Sequence, residues 1–168
     1  MAVTINGSAG VTTNSGAVYD GIQRLTAVAS TSGTSISFSS IPSWCKRLTV
    51  MFNGVSTSGT SNYLIRLNSE ATGYTGEADS LDSNATDTTG FILTASQVGA
   101  SNIGDGVVTI VNLSGNLWIS TGIVRQSTTR NCYSAGGKTT SAVVSSVQIT
   151  TVNGTDTFDA GTINILYE

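Results

Sequence analysis

Half of the chain's ten acidic residues fall in one segment, residues 69–90, where carboxylates could do chemistry. They are Glu70, Glu77, Asp79, Asp82 and Asp87. Carboxylates bind Ca²⁺, but their spacing here lacks the ligand order of an EF-hand. A glycosidase needs two carboxylates on rigid elements at a fixed separation, whereas a segment rich in Gly, Ser and Thr predicts a solvated loop. We therefore expect neither an enzyme nor a metal site.

The same segment could instead contact a ligand, because loops longer than about 12–15 residues in compact domains are often functional. Aromatic faces stack on sugar rings. We expect a ligand-contact loop formed by Tyr74, Glu77, Asp79 and Asp82. Core packing is the alternative for the other aromatic residues that could stack on sugars, namely Tyr63, Trp118 and Tyr133. Trp44 and Trp118 are expected in the core or at a subunit interface.

The composition excludes several classes of function. The chain has no histidine, which removes Ser-His-Asp and Cys-His catalysis and the usual catalytic zinc sites. Seven basic residues against ten acidic ones give a net charge of -3, so we expect no nucleic-acid partner. No cofactor is predicted. Cys45 and Cys132 are expected to be separate buried thiols, as is usual in a reducing cytosol.

Serine and threonine make up 50 of the 168 residues, and charged residues only 10%, so the surface must be rich in hydroxyl groups. From residue 21 onward, short runs of Val, Ile, Thr and aromatic residues alternate with period two between turn-forming clusters. This pattern predicts an all-β fold, an antiparallel β-sandwich of about ten strands with a jelly-roll-like arrangement, over residues 21–168.

Two local features of the sandwich can be predicted in more detail. GVVTIVNL and LWISTGIV, joined through Gly115, form the clearest hairpin, because glycine supplies the positive φ of a tight turn. Asp156 and Asp159 flank Phe158 between two strands, where their side chains are expected to bond the local backbone.

Residues 1–20 contain many small residues and little apolar mass, which predicts an extended N-terminal arm. The residues that could hold it against a neighbour are Val3, Ile5, Val11, Val18 and Tyr19. The first ten residues lack the basic and apolar regions of a secretory signal, and no apolar run is long enough to cross a membrane. We therefore expect synthesis in a cytoplasm, no membrane insertion, and release by another route such as lysis.

Three stretches together resemble a family of bacteriophage virion proteins. They are IPSWCKRLTVMFNGVSTSGTSNYLIRL (41–67), GYTG (73–76) and SSVQITTVNGTDTFDAGTINILYE (145–168). The similarity spans about residues 35–168, and in that family the block is similar to a β-sandwich module of tail-fibre or tail-associated proteins. The opening MAVTINGSAGVT looks like the short N-terminal stretches that attach phage fibre and decoration proteins to the particle.

The resemblance implies a non-enzymatic structural protein on the exterior of the virion, anchored by its N-terminal arm. A tail-fibre or spike-type appendage would contribute to attachment to the host surface, with saccharides as ligands. The alternative is a decoration protein bound to the outside of the phage head. The resemblance implies a homotrimer, and the scarcity of charged residues that could protect strand edges also favours a homo-oligomer.

Overall fold

A computed structural model describes the backbone of residues 3–6, 10–13, 18–19, 21–95 and 98–168, and the side chains from residue 21 onward within these ranges. All its regular elements are strands, and every pairing between them is antiparallel. In chain order the strands are β1 (Val3–Asn6), β2 (Gly10–Thr13), β3 (Val18–Tyr19), β4 (Gln23–Arg24), β5 (Val28–Ala29), β6 (Ile36–Phe38), β7 (Arg47–Thr57), β8 (Tyr63–Leu67), β9 (Gly76–Ser80), β10 (Ser83–Asp87), β11 (Phe91–Ile92), β12 (Gly104–Ser114), β13 (Leu117–Ser127), β14 (Arg130–Thr139), β15 (Val147–Thr151) and β16 (Phe158–Tyr167).

Two sheets form the sandwich. The large sheet has nine strands in the order β10-β9-β14-β13-β12-β7-β16-β4, with β5 also paired to β16. The small sheet has the order β11-β8-β15-β6. The predicted all-β, antiparallel sandwich is therefore confirmed, while the jelly-roll arrangement stays a prediction.

The main core lies between the two sheets, and period-two alternation explains which side chains enter it. On β7, Leu48, Val50 and Phe52 are buried, and on β8 the buried residues Tyr63 and Ile65 face them across the sandwich. A smaller cluster joins the other face of the small sheet to the large sheet. Its members are Leu64, Ile92, Ala78, Ala95 and Cys132.

Several local predictions are confirmed. Strands β12 and β13 pair along their length, with Asp105 opposite Arg125 at one end and Ser114 opposite Leu117 at the other. Gly115, in the turn that joins them, has φ +52°. Trp118 is buried in the core, whereas Trp44 is half-exposed beside the ring of Tyr167. Both cysteines are buried free thiols.

In the connection between β15 and β16 the expected bonding of a side chain to the local backbone is made by Asn153, whereas the carboxylates of Asp156 and Asp159 do not bond the local backbone as expected. Asp156 accepts hydrogen bonds from the backbone N–H of Ser61 at 2.9 Å and from Nδ2 of Asn153 at 2.6 Å. Asn153 Oδ1 in turn accepts the N–H groups of Thr155 and Asp156. Asp159 instead accepts a bond from the hydroxyl of Ser56, on the neighbouring strand β7. Asp156 thus fixes the end of the sandwich at which the connections β7–β8 and β15–β16 meet.

In the segment predicted to be an arm, the described strands β1, β2 and β3 pair with one another in an antiparallel sheet. The side chains of the predicted anchoring residues lie outside the described part of the chain. They are Val3, Ile5, Val11, Val18 and Tyr19. The division at residue 20 and the attachment role of the segment therefore stay predictions.

Candidate functional site

The predicted ligand-contact loop is instead a hairpin of the large sheet. Strands β9 and β10 pair in register from Ser80 with Ser83 to Gly76 with Asp87, and β9 also pairs with β14. The buried positions of β9 are the small residues Gly76, Ala78 and Ser80, and its acids alternate with them on the exposed side. The expectation of a loop was wrong because an alternation of small residues with acids carries no hydrophobic signal.

Tyr74 is a core residue, so its expected role as a surface contact is also wrong. Only 2% of its surface is exposed, its hydroxyl accepts a 2.8 Å hydrogen bond from the N–H of Leu67, and its ring packs edge-on against Phe91 with 4.9 Å between centroids. Burial raises the pKa of this hydroxyl to about 12. The ring is fully used inside the protein and offers no face to a sugar.

A buried ion pair fixes the segment that leads into Tyr74. Lys138 Nζ on β14 lies 2.6 Å from Glu70 Oε2, donates a 2.8 Å hydrogen bond to the carbonyl of Thr72, and sits 5.0 Å from the centre of the Tyr74 ring. Burial alone would raise the pKa of Glu70, but hydrogen bonds from Lys138 and Ser141 outweigh it and hold the pKa below its usual value. These groups hold the fold together and point at no ligand.

The three acids of the predicted site do not converge. Glu77 and Asp79 are exposed side by side on β9, while Asp82 lies in the hairpin turn, 3.1 Å from Arg130. In the described ranges no group of three or more carboxylate, cysteine or histidine side chains is placed to hold a metal ion. The arrangement therefore gives no geometric support to the calcium or the glycosidase hypothesis.

Glu77 and Asp79 belong to a larger surface, which we call the outer face. It is the side of the large sheet that faces away from the core, formed by β10, β9, β14, β13, β12, β7, β16 and β4. Residues directly opposite one another on paired strands share a face, so the register defines rows of side chains that run across the sheet.

One row of the outer face runs from an acid into apolar side chains. It passes from Asp79 through Tyr133, Ile123 and Val107 to Met51. Tyr133 is 60% exposed, Ile123 51% and Val107 48%. Apolar side chains on four adjacent strands therefore lie next to one another in contact with solvent.

A second apolar row lies four residues further along the same strands, where Ile119 on β13 is opposite Val111 on β12, both more than 40% exposed. Between the two rows runs a line of threonines, Thr121, Thr109 and Thr49. The surface between the rows forms a shallow depression, lined by Val107, Thr109, Thr121, Gly122 and Ile123. The outer face is thus a broad, nearly flat apolar patch without a deep cavity.

The line of threonines ends in opposite charges. On one side it continues through Ala135 to Glu77 on β9, and on the other through Leu166 to Arg24 on β4. Glu77, Asp79 and Arg24 are exposed, and none of them takes part in an ion pair within the described residues. Between these charges the outer face also carries two ion pairs, Asp105 with Arg125 and Arg47 with Glu168, whose charges balance within the chain. The unpaired charges of the outer face therefore form an acidic side on β9 and a basic side on β4.

A second, polar surface lies at the end of the sandwich where Asp156 fixes the connections. Thr60, Ser61, Asn62, Val152 and Asn153 line a shallow depression there. The N–H of Val152 bonds to the carbonyl of Asn62, and Ser61 Oγ accepts the N–H of Asn153. Hydroxyl and amide groups are thus held in fixed positions at the surface, which suits hydrogen bonding to a polar ligand.

The sequence contains a signal for the outer face that the pattern analysis missed. Strands β12 and β13 carry adjacent apolar pairs, Val107-Val108, Ile110-Val111, Trp118-Ile119 and Ile123-Val124. One member of each pair enters the core, so the other must lie on the opposite face. Continuous apolar runs in an antiparallel sheet therefore indicate that both faces are apolar.

Comparison with known proteins gives no match to a protein-family model, to a curated protein or to a solved structure. In the described part of the chain no helix is long and apolar enough to cross a membrane.

Proposed function

We propose that this protein is a non-enzymatic structural component of a bacteriophage particle, of the tail-fibre or spike type, that contributes to attachment to the host surface. The observation that carries the structural role is the outer face, a broad exposed apolar patch on a protein whose surface is otherwise rich in hydroxyl groups. Patches of this kind mark sites of association with other proteins. The assignment to a phage particle rests on the resemblance of the three sequence stretches.

The charged groups support a structural role over a catalytic one. Glu70 pairs with Lys138, Asp105 with Arg125 and Glu168 with Arg47, so each of these carboxylates has a cation beside it. A general acid needs the opposite environment, a carboxyl group whose pKa is raised toward neutrality. The pKa of Glu70 is shifted in the other direction, downward, by its hydrogen bonds from Lys138 and Ser141.

The polar depression at the end of the sandwich supports the attachment role. Its asparagine and hydroxyl side chains resemble the polar groups that orient sugars in shallow sites. Since Asp156 fixes both connections, the depression is formed before any ligand arrives, which lowers the entropic cost of binding. It therefore replaces the segment 69–90 as the place where we expect a saccharide to bind.

The proposal is tested by locating and counting this chain in purified phage particles, by cryo-electron microscopy together with quantitative mass spectrometry against the major capsid protein. A few copies at the tail are expected. Many copies spread over the head would overturn the attachment role and assign the protein to head decoration. Absence from the particle would overturn both roles.

The saccharide site is tested separately on a glycan array with the purified chain. Asn153→Ala is expected to abolish binding, whereas Asn84→Ala, an exposed asparagine on the β9–β10 hairpin, is expected to leave it unchanged. Because Asn153 also supports the turn, thermal melting of each variant must show that the sandwich is still folded. Equal binding by both variants would contradict this location.

A further inference from the structure

We propose that the outer face is an interface between copies of this chain, in which the acidic side of one copy contacts the basic side of its neighbour. This inference rests on the large sheet alone and does not depend on the proposed role in a phage particle. It follows from the apolar content of the face, its size and the distribution of its charges.

The apolar content is concentrated where the strands are longest. Val107, Val111, Ile119, Ile123 and Tyr133 lie on β12, β13 and β14, which have ten or eleven residues each, and each side chain is 42–60% exposed. Single exposed apolar residues are common on protein surfaces, but contiguous groups are not. Val107, Ile123 and Tyr133 are direct neighbours in one row and Val111 and Ile119 in another, with one line of threonines between the rows, so a partner that covers both rows would bury them together.

The face is large enough for a stable contact. From β9 to β4 it spans seven strands, which at a spacing of about 4.8 Å gives a width of about 29 Å. Each row of side chains takes up two residues of strand, about 6.7 Å, so the three rows through Val107, Thr109 and Val111 take up about 20 Å and the footprint is about 580 Å². Stable interfaces bury about 600 Å² or more on each partner, so this face alone approaches that size.

The charges identify the partner as another copy of the chain. The apolar rows are centred on β12 and β13, with Glu77 and Asp79 on one side and Arg24 on the other. When two such faces stack about a two-fold axis parallel to the strands, the β9 side of one copy lies over the β16–β4 side of the other. The acids then meet Arg24, and opposite charges across an interface favour this orientation.

A two-fold axis across the strands would instead place acids against acids, which like-charge repulsion disfavours. A closed ring of three, the state implied by the resemblance, also joins unlike sides, because the acidic side of each copy meets the basic side of the next. The two-fold dimer and the closed trimer share one contact, in which β9 of one copy meets β4 of its neighbour. This contact is what we propose.

The apolar part is tested with the complete chain by sedimentation equilibrium at micromolar concentration. The wild type is expected at two or three times 17.2 kDa. The double variant Ile123→Thr/Val107→Thr keeps β-branched side chains but removes apolar contact, and is expected to raise the dissociation constant at least about tenfold. Val143→Thr, on an exposed loop residue outside the outer face, is the control and is expected to have no effect.

A wild-type chain that is monomeric at this concentration would overturn the proposal. It would also be overturned if the double variant associates as the wild type does, or if Val143→Thr weakens association equally. Thermal melts show whether each variant is still folded.

The charge arrangement is tested by reversal. Glu77→Lys and Arg24→Glu are each expected to weaken association several-fold, most strongly at low salt, and the combined variant is expected to restore it. Both residues are exposed, so these changes should leave the fold intact. Asp82→Lys, on an acid in the turn of the same hairpin, is the control. Failure of the combined variant to recover would overturn the contact between unlike sides.

Discussion

The backbone of Gly161 on β16 lies directly against that of Gly54 on β7. A Cβ atom at residue 161 would overlap the carbonyl oxygen of Gly54, and Gly161 has φ +96°, a conformation that side chains disfavour. The register between β7 and β16 shifts on either side of Ala160. The bulge between β16 and β7 therefore requires glycine at residue 161, whereas at Gly54 only the backbone conformation, with φ +66°, favours glycine.

We expect Gly161→Ala to destabilise the protein by roughly 3 kcal/mol, because backbone strain and overlap with rigid atoms add together. Gly115→Ala is the matched control. Gly115 also has a positive φ, but no described atom lies within 4 Å of the added methyl group, so a loss of about 1 kcal/mol is expected from strain alone. Urea unfolding of both variants gives the comparison, and equal losses would show that the overlap is relieved by small shifts.

A second prediction concerns the hydroxyl of Tyr74. Tyr74→Phe would leave the N–H of Leu67 buried without a partner, so we expect a loss of roughly 1–3 kcal/mol. Tyr133→Phe removes the same atom from a ring that is 60% exposed, and its effect should stay within about 0.5 kcal/mol. Chemical denaturation measures both. A neutral Tyr74→Phe would mean that the N–H of Leu67 finds another acceptor.

The strands that could be predicted from the sequence share one property. On β7, β8, β12, β13 and β16 large apolar side chains recur at core-facing positions two residues apart, as Leu48, Val50 and Phe52 do on β7. The large transfer free energy of these side chains decides the structure locally. The hairpin β12–β13 was predicted for the same reason, with its turn fixed by Gly115.

Strands β9 and β14 could not be predicted because their inward positions hold small or polar residues. On β14 these are Cys132, Ser134, Gly136 and Lys138. Nothing in that local pattern favours a strand, and β14 forms because β13 and β9 provide backbone partners on both sides. Alternation in the sequence indicates only where apolar side chains are buried. Backbone pairing with neighbouring strands depends on tertiary structure, and it can make a strand of residues whose own strand propensity is weak.

The misplacement of Tyr74 follows from the same cause. Because the sequence pattern predicts neither β9 nor β14, it provides no strand that could cover the segment 69–90. The aromatic residue of that segment, Tyr74, was therefore expected at the surface. The side chains that pack against Tyr74 are Phe91 and Lys138, and Lys138, whose ammonium group lies over the ring, is 64 positions further along the chain. Such a contact of high sequence separation leaves no local signal.

The ion pair of Lys138 with Glu70 gives a third prediction. Lys138→Met keeps the aliphatic stem but removes the charge, the hydrogen bond to Thr72 and the contact with Tyr74, so we expect a loss of about 2 kcal/mol near neutral pH. This lies below the usual range for a broken buried pair because 19% of the Glu70 side chain is exposed. Arg130→Met breaks an exposed pair with Asp82 and should cost at most about 0.5 kcal/mol.

The contribution of this ion pair should depend on pH. The pKa of Glu70 lies below its ordinary value of 4.5 in the folded protein, so its contribution is present above that pH and is lost as the pH falls through the folded pKa. The difference in unfolding free energy between the wild type and Lys138→Met should therefore shrink on acidification. A difference that stays constant down to strongly acidic pH would show that packing, not charge, accounts for it.

The last prediction concerns alkaline pH. Burial raises the pKa of the Cys45 thiol from 9.0 to about 11, and burial raises the pKa values of the Tyr63 and Tyr74 hydroxyls from 10.0 to about 12. When folding raises the pKa of a group, the contribution of that group to stability is fully present below its pKa in the unfolded chain. The contribution is lost as the pH rises through its pKa in the folded protein. Stability should therefore begin to fall near pH 9 and decline through pH 12.

Each of these three groups contributes on the order of 2 kcal/mol to the total decrease in unfolding free energy at alkaline pH. Cys45→Ala isolates one of them. The variant is less stable at neutral pH because it leaves a small cavity, but it should lose less stability than the wild type between pH 8 and pH 11, since one ionisation is absent. Urea unfolding at the two pH values measures this difference. Equal losses in the two proteins would mean that the thiol ionises as readily in the folded chain as in the unfolded one, and that Cys45 is less enclosed than its 3% exposure indicates.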